Sequence, residues 1–123
     1  MNSLTVDVED WFHILDCQGV PVMDDWANLP SYVEGNTARV LDLLGATGAK
    51  ATFFWLGWIA ERHRSLVRRC VEEGHEVASH GYGHVLPRSA GQTQFSADII
   101  RAKEVLEDIT GEQIKGFRTA GFG

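Results

Sequence analysis

Short β-rich runs separated by longer stretches of helical period constrain this chain more than any other feature. Residues 4–8 (LTVDV) alternate and are rich in β-branched side chains, which predicts a strand. Residues 50–56 (KATFFWL) form a short apolar, aromatic run, the pattern of a buried strand. Residues 76–79 and 114–118 predict two more strands. Between them, Val33, Val40, Leu41 and Leu44 make an apolar helix stripe; Ser31 and Glu34 open it at capping-box spacing, and Gly45 and Gly48 stop it. Residues 58–73 are helical in pattern, with a break near residues 63–65 and Gly74 as the closing residue. Phe95, Ile99, Ala102, Leu106 and Ile109 share one face of a helix over residues 95–110, ended by Gly111. Residues 16–30 and 81–92 have loop composition. The order β-α-β-α-β-α-β predicts an α/β fold, a parallel sheet or barrel with its helices outside.

The chain has 123 residues, enough for one compact domain. Its last predicted strand runs into FRTAGFG with no helix to cover it, so we expect the N-terminal part of a longer protein. Hydrophobic content of 44% and charged content of 23% describe a globular chain. The net charge of −6 argues against a nucleic-acid surface. Arg62, Arg64, Arg68 and Arg69 cluster, but Glu61, Glu72 and Glu73 flank them, which reads as a solvated helix face. No stretch approaches the ~18 apolar residues of a membrane span. MNSLTVDVED has neither a basic start nor a long apolar run, so the expected location is cytoplasmic. Cys17 and Cys70 fit no metal or redox spacing and read as two reduced thiols.

Functional residues of parallel sheets and barrels collect at the C-terminal ends of the strands. The first strand ends in Asp7, Glu9 and Asp10, the third in SHGYGH with His80 and His84, and the fourth in Arg118. Two imidazoles and a carboxylate are a common donor set for a catalytic divalent ion. The i,i+4 spacing of His80 and His84 serves such a set if the segment turns helically, although Gly81 and Gly83 loosen that condition. Alternation puts Asp7 and Glu9 on one side of the strand and Asp10 on the other. One of the first two can then hold a metal while the other acts as general base; solvated acids at an exposed strand end are the plainer reading.

Three stretches carry a resemblance: VDVEDWF, then KATFFWLGWIAERHRSLVRRCVEEGHEVASHGYGH, then QFSADIIRAKEVLEDITGEQIKGFR. They resemble the polysaccharide deacetylases (carbohydrate esterase family four, the NodB homology domain), and in particular the subgroup tied to exopolysaccharide synthesis and exosortase systems. The resemblance covers nearly the whole chain in order and stops after the third motif, so residues 1–123 are expected to be a partial domain. It implies a distorted (β/α) barrel and a divalent metal, usually zinc. The implied reaction is hydrolytic removal of N- or O-acetyl groups from a polysaccharide, the acetylated glycan being the partner. It further implies Asp7 as base, Glu9, His80 and His84 as metal ligands, and Arg118 as the residue that positions the base. Asp10 can replace Glu9 if the strand bulges.

The family uses a histidine from a later motif as general acid, and that motif is not in this sequence. Gly81 stands where many members carry Ser or Thr, and Ala120 where a Pro is usual. Trp11 and Tyr82 flank the expected site and are the candidates for sugar contact. His13 is a lesser candidate to line the site; His63 reads as a solvated helix residue and His75 as a structural hydrogen-bonding one. Two alternatives stand beside the enzyme: a non-catalytic glycan- or metal-binding remnant of the same fold, and a hydrolase of a non-sugar amide.

Overall fold

The computed structural model describes residues 3–13 and 22–122, so Cys17 and much of the first predicted loop lie outside the described residues. Strand β1 is Thr5–Val8, followed by a 3-10 turn at Trp11–His13 and helices α1 (Met23–Trp26) and α2 (Val33–Thr47). Then come β2 (Thr52–Trp55), α3 (Gly57–Arg62), α4 (Arg64–Glu72), β3 (Glu76–Ser79), α5 (Pro87–Ala90) and α6 (Gln92–Thr110). The three strands form one parallel sheet in the order β1-β2-β3.

The register divides the sheet into two unlike faces. Val8 pairs with Trp55, and Phe53 with Val77. This face is buried under Leu41 and Leu44 of α2, Ile59 of α3, Val67 and Cys70 of α4, and Leu106 and Ile109 of α6. Phe53, Trp55, Leu41 and Leu106 are wholly buried there; each such side chain contributes roughly 1.5–3 kcal/mol of hydrophobic stabilisation. Asp7, Phe54 and Ala78 share the other face. Helices cover the first face, and the chemistry-bearing residues lie along the second.

Several sequence expectations change. The predicted fourth strand is a single parallel bridge between Ser79 and Phe117. Ser79 N–H donates to Gly116 O and Arg118 N–H to Ser79 O, both at 2.9 Å. Just before this bridge, the Ile114 N–H donates to the Glu107 carboxylate at 2.9 Å. The capping box at Ser31 and Glu34 does not form: α2 starts at Val33, and a carboxylate from β1's end, described below, meets its first N–H groups. Helix α2 also runs through Gly45 and stops only at Gly48, where φ is 73°. The predicted loop over residues 81–92 contains α5, and α6 begins at Gln92 rather than Phe95. The expected break in the second helical region falls at His63, between α3 and α4 (φ −133°, ψ 50°). His63 is accordingly not solvated: its side chain is 20% exposed, 3.8 Å from Glu34.

Candidate metal centre

The C-terminal rim of the sheet gathers the predicted residues from three separate segments. β1 carries Asp7 and ends at Val8, with Glu9 the next residue, so the pleat sends both carboxylates the same way. β3 hands over to His80, whose N–H donates to Trp55 O at 2.9 Å, and the following turn brings back His84. The residue 116–118 segment, pinned on Ser79, supplies Arg118.

Glu9, His80 and His84 each offer one donor atom within 4.8 Å of the others. His84 Nε2 lies 2.8 Å from Glu9 Oε2, and His80 Nε2 lies 4.0 Å from it. His80 Nδ1 is 2.8 Å from the Arg118 carbonyl. A carbonyl only accepts, so Nδ1 carries the proton and Nε2 presents its lone pair to the site. Such a backbone hydrogen bond on the far nitrogen is what orients a ligating imidazole. The imidazole of His84 is 8% exposed, and its Nδ1 is buried without a hydrogen-bond partner. Two imidazoles and one carboxylate converging in this way are a donor set that fits a divalent ion of the zinc type. Burial pushes the Glu9 carboxyl upward, but the His84 hydrogen bond and attraction to His84, His80 and His13 outweigh it and hold Glu9 below its usual range.

Asp7 sits beside this cluster. Arg118 Nη1 donates to Asp7 Oδ1 at 2.7 Å and Nη2 donates to Thr5 Oγ1 at 3.1 Å. The guanidinium carbon lies 4.2 Å over the Phe54 ring, which fixes its plane. Asp7 Oδ2 remains 3.9 Å from His80 Nε2. One oxygen of Asp7 is therefore held by a cation and the other faces the histidines.

Asp10 points elsewhere. Its carboxylate accepts the Ser31 hydroxyl and the N–H groups of Tyr32 (3.3 Å) and Val33 (3.4 Å) at the start of α2. An anion at a helix N-terminus is favourable, and this replaces the expected capping box. Asp10 is thus not brought to His80 and His84, and it is no substitute for Glu9 in this arrangement.

Tyr82, expected at the sugar, is 3% exposed. Its hydroxyl donates to Glu61, Arg101 Nη2 donates to that hydroxyl at 2.9 Å, and the Arg101 guanidinium covers the ring at 3.6 Å. Burial and the Glu61 contact push the Tyr82 phenol up. Tyr82 anchors its turn to α3 and α6 and leaves no face for a sugar. Trp11 is 43% exposed and its indole N–H donates to Pro30 O at 2.8 Å, so its ring is held at the rim beside Asp7 and Glu9.

His13 is buried. Its Nδ1 accepts the Asp10 N–H at 2.7 Å, and its ring lies 6.2 Å from that of His84. Burial first, and His84 second, bring its pKa down to about 4, so it stays neutral behind the site. His75 accepts the Ala51 N–H at 3.2 Å, a structural bond. Cys70 is a free thiol pushed up to about 12 by burial and is chemically quiet. No helix among the described residues is long and apolar enough to cross a membrane.

Sequence reasoning missed Asp98. Its Oδ2 accepts the Tyr82 N–H and its Oδ1 the Gly83 N–H, both at 2.9 Å. The available signal was positional: Asp98 follows Phe95 by three and precedes Ala102 by four, which puts an acid on the apolar stripe of α6.

The chain belongs to the polysaccharide deacetylase family, whose family model matches residues 23–121. A peptidoglycan-N-acetylglucosamine deacetylase of Bacillus cereus is 34% identical over 82 residues, which are 67% of this chain and 30% of that protein. A family 4 carbohydrate esterase from Streptomyces lividans, solved in complex with acetate, superposes with a TM-score of 0.75 at 29% identity, covering 98% of this chain and 51% of that one. A pseudoenzyme of the same esterase family from Bacillus anthracis superposes at 0.74 with 18% identity, covering 98% of this chain and 35% of its own, a likeness of fold alone. The chain thus spans about half or less of the length of the proteins it matches. These relatives agree with the expected α/β fold with parallel strands, of the NodB-type deacetylase kind.

Proposed function

We propose that this chain supplies the metal site and the catalytic base of a metal-dependent glycan deacetylase. The carrying observation is the convergence of Glu9, His80 and His84 beside an Arg118-held Asp7 on one sheet rim. Glu9, His80 and His84 would hold the ion, with zinc the first choice for this donor set. When bound, the ion supplies Lewis-acid polarisation of the acetyl carbonyl and a more acidic water.

The protein's own part is proton handling and orientation. Asp7 removes the proton of the attacking water through Oδ2, the oxygen that Arg118 leaves open. Arg118 keeps Asp7 turned toward the histidines through a charge-assisted bond at 2.7 Å. Trp11 offers its exposed ring as a sugar platform next to the acids. The substrate class is an N-acetylated amino sugar within a glycan, as the names of the relatives suggest; an exopolysaccharide is the reading that the sequence resemblance adds.

The test uses the full-length protein. Zinc content and acetate release from an N-acetylated oligosaccharide are compared in wild type, His80→Ala/His84→Ala and Asp7→Asn. Zinc lost in the double variant, and acetate release lost in both variants with zinc kept in Asp7→Asn, are expected. Equal zinc in wild type and the double variant would sink the ligand assignment. Zinc bound without any acetate release would favour the non-catalytic module, a fate the Bacillus anthracis pseudoenzyme shows to be open to this fold.

A further inference from the structure

Apart from the Gly81 N–H, which donates to Ser79 Oγ at 3.2 Å, the turn from His80 to His84 is held from outside its own sequence. Gly81 has φ 79° and His84 has φ 55°, a left-handed conformation that a non-glycine residue adopts only when its surroundings enforce it. The two carbonyls of the turn are taken by α3: Gly57 N–H donates to Gly81 O at 2.8 Å and Trp58 N–H to Tyr82 O at 3.1 Å. The two amides are taken by α6, through the two oxygens of a single carboxylate, Asp98. A Cβ on Gly81 would lie 2.8 Å from Asp98 Oδ2, so the missing side chain at Gly81 makes the space in which this carboxylate sits.

We infer that Asp98 is a positioning residue for the metal site: its two bonds to the Tyr82 and Gly83 amides hold the left-handed turn that returns His84 to Glu9. The inference rests on the metal-site reading given above and adds to it the residue that sets the histidine geometry. Asp98 touches neither the reacting groups nor the donor atoms. It acts through the backbone between the two histidines, as partners outside the ligand set do when they orient ligands. A neutral amide cannot do the same, because an Asn at this position offers one acceptor and turns a donor toward the second amide.

The experiment compares wild type, Asp98→Ala, Asp98→Asn and Leu106→Ala in the full chain. Zinc affinity is read by chelator competition, and amide hydrogen exchange is read at Tyr82 and Gly83 in metal-free protein. Leu106, wholly buried on the same helix, lowers stability without touching the turn and serves as the control. Asp98→Ala is expected to weaken zinc about 10–100-fold, Asp98→Asn less, and Leu106→Ala by less than about twofold. Beyond the global change, Tyr82 and Gly83 should both lose exchange protection in Asp98→Ala and one of them in Asp98→Asn, and neither in Leu106→Ala. Wild-type zinc affinity in Asp98→Ala, or an equal loss in Leu106→Ala, would overturn the inference; so would unchanged protection at the two amides. If wild type binds no zinc but Asp98→Ala still frees the two amides, the metal reading falls and the Asp98 clamp stands.

Discussion

The two halves of the candidate metal centre are built by different means. The carboxylate half, Asp7 and Glu9, sits at the end of a regular strand and takes its aim from the pleat. The histidine half sits on a left-handed turn whose amides and carbonyls are satisfied by two helices distant in sequence. Local geometry aims the first half, and tertiary contacts aim the second. Substitutions that leave β1 intact should therefore spare the acids, whereas changes on α3 or α6, far from any ligand, should reach the histidines.

The comparison can be broken most directly at the ligands. His84→Ala should cost more than the ~100-fold in zinc affinity that marks the upper end of an indirect effect, and chelator competition would show it. Asp7→Asn should lower acetate release by the full-length protein by ~10²–10⁴ while zinc is retained, the share expected of a general base. Retained turnover would move the base elsewhere.

Acid should next undo the packing behind the site. His13 binds a proton in the unfolded chain at about 6.5 but in the fold only at about 4. Between those values the unfolded state holds more protons, so stability rises with pH and is lost on going from pH 6.5 to 4, by about 3 kcal/mol. Glu9, held below 4.5, contributes stability that is lost only as the pH falls further, in the same direction. In urea melts against pH, His13→Asn, which keeps an acceptor for the Asp10 amide but does not titrate, should flatten the limb above pH 4.5.

Smaller effects sharpen the contrast. Gly81→Ala should cost roughly 1–2 kcal/mol for the left-handed backbone, with the Asp98 contact on top, and should weaken zinc as well. Asp10→Ala should cost about 1 kcal/mol, the usual loss for a helix cap, and leave zinc affinity unchanged. A drop in zinc affinity with Asp10→Ala would return Asp10 to the ligand set.

Much of the fold was legible because strand and helix periods are local. β1, β2 and β3 fall inside or on their predicted limits, and the break at His63 was visible in the pattern. The misses at the cap and at Tyr82 share one cause, competition from a partner far along the chain. Asp10, 21 residues before Ser31, took the cap predicted for Ser31 and Glu34. Tyr82 looked free for a sugar because sequence adjacency to two histidines says nothing of Glu61 and Arg101, which bury it.

The sequence by itself determined the parallel α/β order, the pairing of Asp7 with Glu9 on one side of a strand, and the set of residues at the strand ends. Those follow from a period of two in strands and from the chemistry of the side chains. Only the tertiary structure decided that Asp10 serves a helix and that Asp98 holds the turn between the histidines. Each of these is a hydrogen bond between segments that only packing brings together, and a polar group's choice among distant partners is made by geometry that no local pattern carries.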